Sequence, residues 1–96
     1  MNTNSFSVLK LTVNNHPGVL SHVSGLFARR SYNLEAVMVR PLIGKTEQQS
    51  RMWLLVNEDE RLQQLIRQTE KLVDVISVEE HDLAGSVFEK TEGYFV

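Results

Sequence analysis

The segment Asn14-Asn15-His16-Pro17-Gly18-Val19-Leu20 concentrates most of the chemistry that this 96-residue chain can offer. A helix starting here presents backbone N–H groups with no intrahelical partner, at the positive end of its dipole. That is a ready-made carboxylate site. Gly18 has no side chain to hold a ligand away from the backbone. Asn15 carries a donor and an acceptor, so it can address either charged group of a zwitterion. The same residues also suit a plainer purpose. Asn-x-Pro-Gly is common turn chemistry, and Asn15 can simply cap the helix. Residue types alone leave both uses open.

Other groupings offer less. His16, His22 and His81 have no metal-ligand spacing, and no carboxylate lies near His16 or His22 in sequence to orient either. His22 reads as a solvated helix residue, and His81 falls beyond the last expected strand. Ser21 and Ser24 have neither a nucleophile elbow nor an evident base. The chain has no cysteine, hence no thiolate site and no disulfide, a usage that suits a reducing cytoplasm. Nothing amounts to a catalytic constellation.

The elements around the turn must position it. Phe6–Val13 alternates, with Leu9, Leu11 and Val13 on one face and Lys10 and Thr12 on the other, which is a strand pattern. After the turn, Val19, Leu20, Val23, Leu26 and Phe27 recur at helical spacing, and Pro17 suits a first helical turn. Arg29 and Arg30 close that helix, where cations favour the carbonyl end of the dipole. Tyr32-Asn33 links it to a second strand, Leu34–Arg40, which Pro41 stops. A polar connection over 42–50 leads to a third strand, Arg51–Asn57. Asn57-Glu58-Asp59-Glu60 then supplies a cap and an acidic first turn for a helix with stripe Leu62, Leu65, Ile66, Thr69 and Leu72. Val73–Val78 is the fourth strand.

The order β-α-β-β-α-β repeats a β-α-β half. It implies an α+β, ferredoxin-like domain: a four-stranded antiparallel sheet with two helices on one face. In the usual strand order 4-1-3-2 the second strand is an edge, open to pairing with a second copy. One domain fills the chain, with residues 6–80 as its core and 81–96 as a tail. On the third strand Met52, Leu54 and Val56 share one face, and Trp53 and Leu55 the other. If the first set packs under the helices, Trp53 and Leu55 stand on the open face. There they form a docking surface for a partner or lie under the apolar tail (Val87, Phe88, Tyr94, Phe95, Val96).

Composition narrows the function classes. No apolar run approaches a bilayer span, because Lys10, Arg29 and Arg40 interrupt the candidates, and the N-terminus does not read as a secretory signal. No membrane role is expected. Net charge is −2, divided as +4 over residues 1–51 and −6 over residues 52–96. Nucleic-acid binding would need clustered basic residues with aromatic platforms, which are missing. A metal carrier on this fold would want a Cys-x-x-Cys pair, and an acyl-phosphate hydrolase an arginine in the first loop; neither is present. A near-neutral domain this small is a candidate for oligomerisation.

Two segments carry a resemblance. Leu11-Thr-Val-Asn-Asn-His-Pro-Gly-Val-Leu20, followed by Gly25-Leu-Phe-Ala-Arg-Arg-Ser-Tyr-Asn-Leu-Glu35, resembles an ACT domain, the amino-acid-sensing version of this fold. The likeness is closer still to the small regulatory subunit of acetohydroxyacid synthase (acetolactate synthase), and Lys71-Leu-Val-Asp-Val75 continues it; it covers roughly residues 6–80. The resemblance implies a homodimer whose second strands meet to form one continuous sheet. Valine would bind between the copies and mediate activation and feedback inhibition of a catalytic large subunit in branched-chain amino-acid synthesis. Asn15, His16, Pro17, Gly18, Val19 and Leu20 would provide the turn from one copy and Asn33 would approach from the other, with Val37 beside the isopropyl group. His16-Pro17 departs from the more polar residues common in that turn. Many relatives carry a longer C-terminal domain, so the chain resembles the short form. The resemblance places no cofactor in this chain; thiamine diphosphate, magnesium and FAD belong to the catalytic partner. The alternatives are a free-standing ACT sensor of another amino acid or a nucleic-acid-binding module.

Overall fold

Alternation along Phe6–Asn14 builds β1, whose inward residues Leu9, Leu11 and Val13 are completely buried. The computed structural model describes residues 5–15, 18–42, 44, 48–83 and 85–91. After β1 come α1 (Val19–Arg29), β2 (Leu34–Pro41), β3 (Gln49–Asn57), α2 (Leu62–Glu70), β4 (Val75–Asp82) and a short α3 (Val87–Lys90). All strands pair antiparallel in the order β2-β3-β1-β4, the ferredoxin-like arrangement, with β2 at one edge. The expected fold is therefore the observed one.

The core is a single layer between the sheet and the two long helices. Leu9, Leu11, Val13, Met52, Leu54 and Val56 meet Val23 and Phe27 of α1 and Leu62 and Leu65 of α2. Each such aliphatic side chain removed from water contributes about 1.5–3 kcal/mol against the entropy of ordering the chain. Leu20 departs from the expected α1 stripe: it is 43% exposed.

Three local details differ from the sequence expectation. The first is the cap of α2. Asn57 stays in β3, and the Asp59 carboxylate accepts the Arg61 N–H at 2.7 Å, one residue ahead of the helix. The second is β4, which starts at Val75 rather than Val73. The end of α2 runs on into tight turns (Leu72 N–H to Thr69 carbonyl, Val75 N–H to Leu72 carbonyl), leaving Val73 outside. That strand also continues through Glu79-Glu80-His81-Asp82, so His81 lies within it, because β1 offers partners for every one of these residues. The third is the tail, whose first part forms α3. Ser86 caps it, accepting the Glu89 N–H at 3.4 Å, while Glu89 reaches back to the Gly85 N–H at 2.7 Å. Tyr94, Phe95 and Val96 lie outside the described residues.

Candidate functional site

The turn after β1 is held from both sides. Asn14 N–H bonds the Asp74 carbonyl at 2.8 Å and Asn15 N–H the Gln48 carbonyl at 3.0 Å. Helix α1 is led by Gly18, whose φ of 92° is a left-handed conformation that glycine adopts freely. A β-carbon there would meet nothing within 4 Å, so backbone conformation rather than crowding within the chain requires glycine. Among the described residues, no side chain caps this helix. The first ladder bond runs from His22 N–H to the Gly18 carbonyl at 2.9 Å, leaving the amides of Val19, Leu20 and Ser21 ahead of it. Asn15 is exposed, and its side chain makes no hydrogen bond among the described residues. The capping role that its residue type allowed is thus not the one it takes. His16 and Pro17 lie outside the described residues.

Asn33 is set by the other end of α1. Ser31 takes a positive φ of 55°, Tyr32 N–H bonds the Phe27 carbonyl at 2.9 Å, and Ser31 N–H bonds the Ala28 carbonyl at 3.0 Å. These paired bonds are a Schellman ending with serine in glycine's usual place. Its hydrophobic contact is Tyr32 edge-on to Phe27, with ring centroids 6.0 Å apart. The Tyr32 hydroxyl donates to the Asn57 carbonyl, and the Arg61 guanidinium lies 4.8 Å from its ring. Burial, then the nearby Asp59 charge, pushes the Tyr32 hydroxyl above the ordinary tyrosine range. The Arg61 backbone N–H is the main cause holding Asp59 below the usual carboxylate range. Tyr32 thus nails the α1–β2 link to the end of β3, and Asn33 follows it, exposed, at the start of the edge strand. The sequence marks Tyr32 only as part of a link; the signal for its role is an aromatic residue just past a helix end.

One chain does not bring Asn15 and Asn33 together. Asn14 pairs with Gln49 and Pro41 with Ser50 at one end of the sheet, whereas Leu34 pairs with Val56 at the other. The two asparagines are separated by the length of a strand, about 25 Å at roughly 3.3 Å per residue. Between them runs the free side of β2. Val37 lies opposite Leu54 and Val39 opposite Met52. Opposed residues of an antiparallel pair share a face, so both valines point to the helix side, yet they are 41% and 43% exposed. A bulge between Leu34 and Ala36 sets this register.

The opposite face of the sheet carries Trp53 and Leu55, both half-buried. Here α3 and the residue before it provide partial cover: Leu55 shares a hollow of about 340 Å³ with Phe6, Leu83 and Phe88. Trp53 faces Val87 and Ser86 across another, of about 390 Å³. Lys10 approaches Glu79 at 3.5 Å on this face, and His81 approaches it at 3.0 Å. These contacts, the His81 hydrogen bond foremost, keep the Glu79 carboxyl low.

Comparison with known proteins agrees with this geometry. The family model for the AHAS small subunit-like ACT domain matches residues 9–77. The chain is 46% identical over 88 residues to the acetolactate synthase isozyme 1 small subunit of Escherichia coli, covering 92% of this chain and 90% of that one. It is 42% identical to the acetolactate synthase small subunit of Mycolicibacterium smegmatis, covering 88% of this chain but 48% of that protein. The crystal structure of the acetolactate synthase small subunit from Thermotoga maritima superimposes with a TM-score of 0.64 at 32% identity. That match covers 78% of this chain and 46% of the other, so the chain spans about half the length of these two longer relatives. An ACT domain with this strand order, matched along most of its length, belongs to the family of acetolactate synthase small subunits.

Proposed function

We propose that this chain is the regulatory, non-catalytic subunit of an acetohydroxyacid synthase in branched-chain amino-acid synthesis, and that it binds valine between two copies of itself. The observation that carries the proposal is the unpaired β2 edge, with Val37 and Val39 exposed on the helix side and Asn15 and Asn33 at opposite ends. Pairing β2 with β2 of a second copy about a two-fold axis is antiparallel. It carries Asn33 of the second copy to the end of the sheet where the Asn15 turn lies. It also sets the valine stripes of the two copies side by side, so that each shields part of the other. Each of two equivalent sites then has an Asn15 turn from one copy and Asn33 from the other.

In this site the free amides leading α1 hold the carboxylate, and side-chain and backbone oxygens receive the ammonium. Leu20 and Val37 supply apolar walls for the isopropyl group. The ligand has about eight heavy atoms, so even the ceiling of roughly −1.5 kcal/mol per atom gives only about −12, before the zwitterion is desolvated. Affinity in the micromolar to millimolar range is expected. Discrimination by pocket size is worth about 1–3 kcal/mol per methylene, so leucine and isoleucine bind in graded fashion. Feedback needs a coupling of about 1–3 kcal/mol between valine and the state of the catalytic subunit. That subunit brings the thiamine diphosphate, magnesium and FAD; this chain supplies the sensor. Trp53 and Leu55, where α3 leaves them uncovered, are its contact with that partner.

A mixing experiment tests the shared site. Asn15→Ala and Asn33→Ala homodimers should each bind valine at least tenfold more weakly in calorimetric titrations. Mixed after unfolding and refolding, half the dimers are hybrids with one intact site, so roughly a quarter of all sites regain full affinity. Two folded, dimeric variants whose mixture recovers nothing would dispose of the shared pocket. Unchanged affinity in both single variants would remove the asparagines from it.

A further inference from the structure

On the open face of the sheet, Arg40 of β2 lies directly opposite Arg51 of β3. Like charges in register across a ladder work against it. Nothing among the described residues offsets this pair, since neither guanidinium takes part in an ion pair or side-chain hydrogen bond there. The Arg51 Nε is shut off from water without any hydrogen-bond partner. A buried N–H left without a partner is costly to maintain, although the rest of the Arg51 side chain is only half-buried and Arg40 is exposed. Among the described residues of this face, the Glu79 carboxylate is already engaged by Lys10 and His81, and that of Glu89 by the Gly85 N–H.

The two arginines open onto a hollow of about 210 Å³, walled by Trp53, Pro41 and Leu42. A guanidinium is a planar fork that matches a carboxylate, and two of them side by side match an acidic stretch. Helix α3 lies toward the other end of the face, against Leu55 and the far side of Trp53. From edge to centre the face therefore runs from two bare cations to a half-buried indole. Arginine beside tryptophan is the composition of a protein contact rather than of a free-anion site. A small anion in physiological salt would satisfy the charges and leave the indole half exposed. Side chains on β2 stand perpendicular to its pairing direction, so joining β2 to a second copy leaves Arg40 on this face.

We propose that Arg40, Arg51 and Trp53 hold a carboxylate-bearing segment of the catalytic subunit, its acidic side chains on the guanidinium pair and an apolar neighbour on the indole. This rests on the regulatory-subunit function proposed above. It adds the chemistry of the partner: acidic residues flanking an apolar one, presented by an exposed segment.

Association of the intact chain with the catalytic subunit of the same organism, followed by biolayer interferometry from low to moderate salt, tests it. Wild-type affinity should fall steeply as salt rises. Arg40→Glu/Arg51→Glu should weaken association at least tenfold at low salt and flatten its salt dependence. Arg40→Lys/Arg51→Lys, which keeps the charge and loses the fork, should fall between. The single variant Arg40→Gln covers the case in which the double reversal does not fold. Valine titrations of variants that remain folded and dimeric should match wild type, because both arginines stand on the face of the sheet opposite Val37 and the α1 turn. A double reversal that binds the catalytic subunit as tightly as wild type overturns the docking site alone. A wild-type chain that does not associate overturns the regulatory function and the docking site with it. Trp53 is the single tryptophan, so its fluorescence reports anion binding directly. Inorganic phosphate that shifts it at millimolar concentration, in a manner lost on charge reversal, while subunit association is unaffected, marks a small-anion pocket and overturns the protein contact.

Discussion

The two faces of this sheet are finished to different degrees. On the helix side Met52, Leu54 and Val56 alternate into complete burial, and β1 matches them with Leu9, Leu11 and Val13. On the other side the intervening Trp53 and Leu55 are half-buried under a four-residue helix, and Arg40 and Arg51 face each other uncompensated. The helix side also ends abruptly at β2, where Val37 and Val39 stay exposed. Stability is concentrated in the closed layer. What remains unsatisfied, an apolar edge and a cationic half-face, is where the proposed second copy and the proposed catalytic partner would bind.

The largest effect should come from the closed face. Leu54→Ala removes a fully buried side chain at the centre of the core and is expected to cost about 2–5 kcal/mol in urea denaturation. That is a large share of the roughly 5–15 kcal/mol typical of a domain. Trp53→Ala, one residue away on the opposite face, should cost clearly less despite the larger side chain. Equal costs would erase the distinction between the faces.

The edge comes next. Val37→Lys/Val39→Lys places two charges where a second copy would cover apolar surface, while both positions are already solvated in the single chain. Sedimentation should show monomers that unfold cooperatively, and valine affinity should fall at least tenfold through loss of the Asn33-bearing partner. Dimers of wild-type affinity would mean that β2 is not the seam.

Cover over the open face is weaker again. Phe88→Ala takes away an aromatic that shares a hollow with Leu55 and Phe6. A half-buried ring should be worth about 1–2 kcal/mol. Trp53 emission should move to the red as α3 loosens, with valine binding untouched. An unchanged spectrum would show that α3 contributes no cover.

How much of this was legible beforehand follows from what each feature depends on. The closed face was readable because burial has period two in Leu9, Leu11 and Val13 and in Met52, Leu54 and Val56, so alternation alone assigns it. Strand β4 was cut short because its apolar residues stop at Val78, whereas Glu79 to Asp82 stay in the sheet through β1 partners that sequence does not display. Helix α3 was missed although Ser86-Val-Phe-Glu89 has the serine and glutamate spacing of a capping box. The Asn15 turn was visible as a turn, but its freedom from capping was not, since either use fits the residue types. The placement of Asn33 depended on topology: only strand order shows that it lies a sheet's length from Asn15. The Arg40–Arg51 opposition was invisible, because it exists only in the register that the β2 bulge sets.

The smallest expected effect concerns the pin between these regions. Tyr32→Phe removes the hydroxyl that reaches the Asn57 carbonyl but keeps the ring on Phe27 and under Arg61. One such hydrogen bond contributes about 0.5–1.5 kcal/mol net. The loss should depend on pH in a definite direction. Burial and the Asp59 charge raise the Tyr32 pKa in the fold, so the folded chain holds this proton to higher pH than the unfolded one. The stabilisation is therefore complete below the ordinary tyrosine pKa of about 10 and lost as pH rises through the raised value. Urea midpoints of wild type should fall on going from neutral to strongly alkaline pH, and this component should be absent from Tyr32→Phe. Because Asn33 is the next residue, valine affinity separates two roles for the anchor. A change within about threefold at neutral pH leaves Tyr32 as a stabiliser, the ring alone sufficing to set Asn33. A tenfold loss in a variant that still folds and dimerises would show that the hydroxyl holds the start of β2 in position for the ligand.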